Sequence, residues 1–215
     1  MILDAFVEPA SGPSLTKALR NAFRKGSGEE HLVIGGVTWG DYLEVDHDLG
    51  TDRAGPRLYW HEDQLEIMGT SLRHEELKKG LATLLEDYFF SLELEVYPHG
   101  QATLRSFEVA GAEPDDSWCL GTQKERPDIV LEIALTSGGL PKLEIYRHLD
   151  IPEVWFWRKN ALEIWALRQD AATYEGPFRQ SRLFPGLNID FLEHCLALPS
   201  WHSARQTFRN GLRKG

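Results

Sequence analysis

The sequence predicts an α/β protein with a central mixed sheet flanked by helices. Three stretches carry that expectation. Residues 127–157 read as strand, helix, strand; residues 71–92 read as a long amphipathic helix behind a hairpin; residues 154–165 read as a second hairpin. Composition permits such a core. The chain has 215 residues, 42% apolar and 26% charged, which suffices for one large domain.

Taken in order, residues 1–29 form an N-terminal extension in which Leu15–Phe23 predict a short amphipathic helix and Lys25-Gly26-Ser27-Gly28 a break. The first residues include Asp4 and Glu8 and no long apolar run, so a signal peptide is not expected. No stretch approaches the roughly 18 apolar residues of a membrane span. Cys119 and Cys195, far apart, make neither a disulfide framework nor a zinc site, and a reducing cytoplasm is the default. Next, LVIGGVTWGDYLEVD predicts a strand, a glycine turn and a short helix around Trp39–Val45. Asp46, His47 and Asp48 read as a solvated turn, because adjacent side chains do not converge on one ion.

Leu58 to Met68 holds two short runs around Glu62-Asp63, a hairpin pattern. Ser71 then stands as an N-cap, with Glu75 and Glu76 suited to the helix dipole. His74, Leu77, Leu81, Leu84, Leu85, Tyr88 and Leu92 trace the inward stripe of that helix. His74 opens the buried face, which leaves it either a core histidine or a site residue. Leu94–Tyr97 and Ala102–Val109 predict a strand pair about Pro98-His99-Gly100. Pro114 restricts Glu113 to extended backbone, and Asp115 stands at the start of a strand through Trp118, Cys119 and Leu120.

The central stretch is the most informative. Ile129, Val130, Leu131 and Ile133 make the apolar run of a strand covered on both faces, and Glu132 interrupts it. A carboxylate there costs several kcal/mol, roughly, to desolvate unless a cation or a set of donors meets it. Asp128 shares its face but lies about 13 Å away along an extended strand, too far to share one ion, and reads as a strand-end cap. Thr136-Ser137-Gly138-Gly139 leads to Pro141 at the first helical position. Ile145, Tyr146 and Leu149 form one stripe with Lys142 at its start, so Lys142 faces the sheet and suggests an acid–base pair with the buried glutamate.

Val154–Trp157 and Leu162–Trp165 then flank Arg158-Lys159-Asn160-Ala161 as a hairpin. Tyr174 opens a further strand, and FPGLNIDFLEHCLAL reads as a turn and a closing helix carrying Phe191, Leu192, Cys195 and Leu196. Arg205, Arg209 and Arg213 recur every four residues, and residues 199–215 read as a solvated basic tail. A net charge of −10 excludes a general nucleic-acid binder with a broad basic face, though not an enzyme with a local basic cleft. With no repeats and no linker, residues 1–215 are expected to form one domain with its core at about 30–198.

Four segments, QLEIMGTSLRHEELKKGL, GAEPDDSWCLG, RPDIVLEIALTSGGLPKLEIYRHLDIPEVWFW and RLFPGLNID, occur in an order and spacing that resemble the Uma-type putative restriction endonuclease family, part of the PD-(D/E)XK nuclease superfamily. The resemblance runs from about Leu58 to Leu192. It implies a restriction-endonuclease-like core with a divalent-metal site at one end of the sheet, holding Mg²⁺ or Mn²⁺. It makes Asp115 and Glu132 the metal-binding acids and Lys142 the catalytic lysine, since Ala134 stands two residues after Glu132 where the lysine usually sits. His74, Glu75 and Tyr146 match accessory positions, with Asp128 the uncertain member; Arg73 departs from the family's glutamate. The implied activity is endonucleolytic hydrolysis of phosphodiester bonds in DNA, with a homodimer following by analogy because two strands take two sites. Two other readings stay open: a catalytically degenerate member that binds nucleic acid or protein, and a plain structural α/β protein with hydrogen-bonded buried acids.

Overall fold

The computed structural model describes residues 31–50, 56–69, 71–135, 139–168 and 173–213. The helix expected over Leu15–Phe23 and the break after it lie outside the described residues. In chain order the elements are β1 (His31–Gly35), α1 (Trp39–Leu49), β2 (Arg57–His61), β3 (Gln64–Met68), α2 (Leu72–Ser91), β4 (Val96–Pro98), β5 (Leu104–Ser106), β6 (Ala110–Ala112), β7 (Asp116–Leu120), β8 (Ile129–Ile133), α3 (Lys142–His148), β9 (Glu153–Arg158), β10 (Ala161–Leu167), β11 (Tyr174–Phe178), α4 (Ile189–Leu196) and α5 (Trp201–Leu212). The class is mixed α/β, as the hydrophobic patterning predicts. The strands divide between two sheets, and the chain between two compact units.

The first unit takes the chain up to Leu72, Thr103–Glu113 and Thr136–Leu149. Its antiparallel sheet has the order β1-β3-β2-β6-β5. The β2–β3 turn falls on Glu62 and Asp63, with φ of 48° and 56°, the left-handed pair that a two-residue hairpin requires. Ile34, Tyr42, Val45, Leu58, Leu65 and Ile67 are buried together against this sheet. Helix α1 begins with a capping box in which Thr38 and Asp41 each satisfy the other's backbone N–H. Asp46, read as part of a solvated turn, lies instead inside α1, buried and paired with Arg105. The hairpin β5–β6 corrects the expected long strand over Ala102–Val109: the chain reverses at Glu108, whose φ is 54°.

The second unit takes Arg73–Ala102, Pro114–Leu135 and Asp150–Gly215. Its sheet has the order β11-β10-β9-β8-β7-β4, with β8 and β9 parallel and the other pairs antiparallel. The parallel pair is what the strand–helix–strand reading of 127–157 predicts. Ile129, Leu131 and Ile133 share a core with Leu81 and Leu85 of α2, Trp155 and Trp157 of β9, and Leu192 of α4. Lys159 and Asn160 make the β9–β10 turn with φ of 50° and 62°. Strand β4 does not pair with β5; it pairs with β7, and the backbone N–H groups of His99 and Gly100 go on to donate to Ser117 O, so the chain does not double back there.

Two further readings change. Leu92 lies past the end of α2 and is exposed. Residues 201–212 are a helix and not a solvated tail: Ser200 caps α5, Ala204 and Phe208 are buried, and Arg205 grips both oxygens of Asp87 at 2.7 and 2.9 Å. Pro141 precedes α3 as its N-cap residue, one position earlier than expected.

Candidate active site

Strands β7 and β8 pair as Asp116↔Leu131, Ser117↔Val130 and Trp118↔Ile129. Asp115 immediately precedes the paired stretch of β7, and Glu132 follows Leu131 on β8. Glu132 therefore belongs to the face opposite Leu131 and its core neighbours, while Asp115 is placed by its own hydrogen bonds.

Asp115, Glu132 and His74 are all fully buried. The Asp115 carboxylate is held at both oxygens: Oδ1 lies 2.8 Å from His74 Nε2, and Oδ2 accepts the backbone N–H of Ile133 at 2.7 Å. A buried carboxylate without donors is strongly destabilising; here an imidazole from the first turn of α2 and an amide of β8 offset that cost. The arrangement also fixes the carboxylate's direction. The neighbouring acid behaves differently. Burial pushes the Asp116 carboxyl up to about 6, the nearby Glu86 and Asp115 charges add to the rise, and the Ser117 N–H and Lys78 oppose it.

Asp128 accepts the Leu120 N–H at 2.7 Å and pairs with Lys124, the strand-end role expected of it. Glu75 is half exposed and pairs with Lys78 at 2.5 Å, one turn along α2. In the first unit, Lys142 opens α3 with Nζ 3.9 Å from the ring centroid of Tyr59, a cation–π contact, and Tyr146 is fully buried. Glu113, which precedes the Pro114-Asp115 pair, is a staple of the first unit, accepting from Leu58 N at 2.9 Å and Thr103 Oγ1 at 3.2 Å.

Two buried glutamates escaped the sequence reading. Glu66 accepts the Leu140 N–H at 2.9 Å, and a Cβ at Gly139 (φ 87°) would overlap its carboxylate, so the turn into α3 requires glycine twice over. Glu153 accepts from Trp155 Nε1, Ser181 Oγ, Arg182 N and Leu183 N. A charge inside the apolar run PEVWFW is the same signal that singled out Glu132.

A family model for Uma2, "Putative restriction endonuclease", matches residues 39–193. The chain belongs to the Uma2 family. The Uma2 match takes in every candidate residue named above, from His74 to Tyr146. Among solved structures the chain is similar to "a putative nuclease belonging to DUF820" from Anabaena variabilis ATCC 29413, with a TM-score of 0.50, 11% identity, and coverage of 80% of this chain and 99% of that one. At that identity the likeness concerns the fold. No curated protein matches.

Proposed function

We propose that this Uma2 protein is a metal-dependent endonuclease that hydrolyses phosphodiester bonds in DNA, with Asp115 and Glu132 holding Mg²⁺ or Mn²⁺. The observation that carries the reading is the buried Asp115 carboxylate, anchored by His74 and Ile133 N–H on the strand next to the equally buried Glu132. The donor set fits the ion: two carboxylates offer hard oxygen ligands of the kind these cations take. When bound, such an ion supplies Lewis acidity toward a phosphoryl oxygen and lowers the pKa of water.

The chain's own groups have narrower tasks. His74 and the Ile133 amide orient Asp115 and keep its direction fixed. Lys142, by its correspondence with the family's displaced lysine, is the candidate to stabilise charge on the phosphate or to order the attacking water, and Tyr146 is carried with it as an accessory residue. A second reading, a member that keeps the fold and binds without cutting, is favoured by one observation: both Asp115 oxygens already have protein donors.

Calorimetric titration of Mg²⁺ and Mn²⁺ into wild-type protein, Asp115→Asn and Glu132→Gln separates the two, followed by supercoiled-plasmid cleavage with Lys142→Met alongside. Saturable binding lost in both acid variants, with cleavage lost in all three, is the expected result. Absence of binding in the wild type overturns the nuclease reading in favour of the non-cutting one.

A further inference from the structure

We propose a separate transition-metal site in the first unit, formed by His61, Glu144 and His148 and suited to Zn²⁺. Among the described residues, one ligand-capable atom from each of these three lies within 4.8 Å of the others. Neither Asp115 nor Glu132 takes part, so the inference stands apart from the nuclease reading.

Three features bring the group together. His61 ends β2 and is nearly buried, with Nδ1 3.2 Å from the carbonyl oxygen of Val109. A proton on Nδ1 donates there and leaves the Nε2 lone pair outward, the usual orientation of a ligating imidazole with an outer-shell carbonyl. Glu144 and His148 lie four residues apart on α3, hence on one face. Glu144 Oε1 stands 3.4 Å from His148 Nε2, and two ligands at about 2.0–2.1 Å from a tetrahedral ion are themselves about 3.4 Å apart. The His61 and His148 ring centroids are 5.3 Å apart. Two imidazoles and one carboxylate favour a borderline ion such as zinc over magnesium.

Arg147 marks the spot. Its Nη2 bonds to Glu144 and reaches His148 Nε2 at 2.8 Å, so an N–H donor already points at the lone pairs that a metal would use. The guanidinium also takes both Glu144 oxygens through Nε at 3.0 Å. It lies partly exposed on the helix and is therefore a built-in competitor for the ion. That gives the site a signature that a purely structural ion pair lacks: removing Arg147 tightens metal binding, whereas removing either histidine destroys it.

The test is calorimetric titration of ZnCl₂ into tag-free, full-length protein: wild type, His148→Ala, His61→Ala, Arg147→Met and Asp115→Asn, each checked for folding by circular dichroism. One saturable Zn²⁺ per chain that persists in Asp115→Asn is expected, whatever the Asp115–Glu132 pair takes up in the wild type. It should weaken beyond the roughly 10–100-fold that loss of an outer-shell partner costs in either histidine variant and tighten in Arg147→Met. If His61→Ala fails to fold, His148→Ala, on the partly exposed face of α3, decides alone. No saturable uptake by wild type, uptake unaltered in His148→Ala, or weaker uptake in Arg147→Met each overturns the proposal. Failure of Mn²⁺ binding at Asp115 would leave these zinc results untouched, so the two readings fall separately.

Discussion

Asp115→Ala is expected to damage the fold before it informs on metal binding. The substitution strands two buried donors, the Ile133 N–H and His74 Nε2, at sites with essentially no solvent access. Each stranded donor costs about 1–3 kcal/mol, giving about 2–6 kcal/mol together, against a total stability of about 5–15 kcal/mol for a domain. Asp115→Asn behaves differently. Its amide oxygen, placed where Asp115 Oδ2 was, accepts from Ile133, and a change of tautomer lets His74 Nε2 accept from the new amide. What is lost is the extra strength of charge-assisted bonds, about half of each, or about 1.5–3 kcal/mol in all. Urea denaturation at pH 7, comparing midpoints at constant m-value, should therefore rank wild type above Asn and Asn above Ala. If Ala comes within about 0.5 kcal/mol of wild type, a difference typical of surface substitutions, the anchoring argument is wrong. If Asn is as costly as Ala, charge and not donor satisfaction governs the site. The same arithmetic makes Asn, not Ala, the variant for metal titrations.

Two other outcomes follow from buried acids. The Asp116 carboxyl is raised from 3.8 to about 6, so the folded state holds its proton more tightly than the unfolded chain does. Its stabilising share is intact below pH 4 and is lost as the pH rises to 6, with an upper bound of about 3 kcal/mol. Asp116→Asn keeps the acceptor for Ser117 N–H, and should raise stability at pH 7 while leaving it unchanged near pH 3.5; parallel curves for the two proteins across pH 4–7 would refute this. Glu153→Ala strands Trp155 Nε1 and Ser181 Oγ in the interior and releases the Arg182 and Leu183 amides, for an expected loss of about 3–5 kcal/mol. A thermal shift equivalent to under about 1 kcal/mol would show that water replaces the carboxylate there.

How much could be read from sequence depended on how local each signal was. The β2–β3 and β9–β10 hairpins were legible because Glu62-Asp63 and Lys159-Asn160 interrupt apolar runs at two-residue spacing. Strand β6 was not: Ala110-Gly111-Ala112 has no alternation, and the turn before it places Glu108, not glycine, in the left-handed region. Helix α5 was hidden for a related reason, since only Ala204 and Phe208 are buried among its polar residues. At the site, Glu132 announced itself as a charge in a buried strand. The bond between His74 and Asp115 did not, because 41 residues separate them and no local pattern reports a partner that distant. The cluster of His61, Glu144 and His148 was invisible for the same reason: only its Glu144–His148 half has a sequence spacing.

Each compact unit is stitched from three stretches of chain, with Thr103–Glu113 and Thr136–Leu149 returning to the first unit between visits to the second. No single cut in the polypeptide therefore separates one unit from the other. A fragment ending at residue 135 would carry Asp115, Glu132 and His74 yet lack β9, the parallel neighbour of the strand that bears Glu132. Contacts so far apart in sequence slow folding, because loop-closure entropy is lost before they form. During synthesis the acidic centre thus waits for residues 153–158 to emerge after its own side chains have been made.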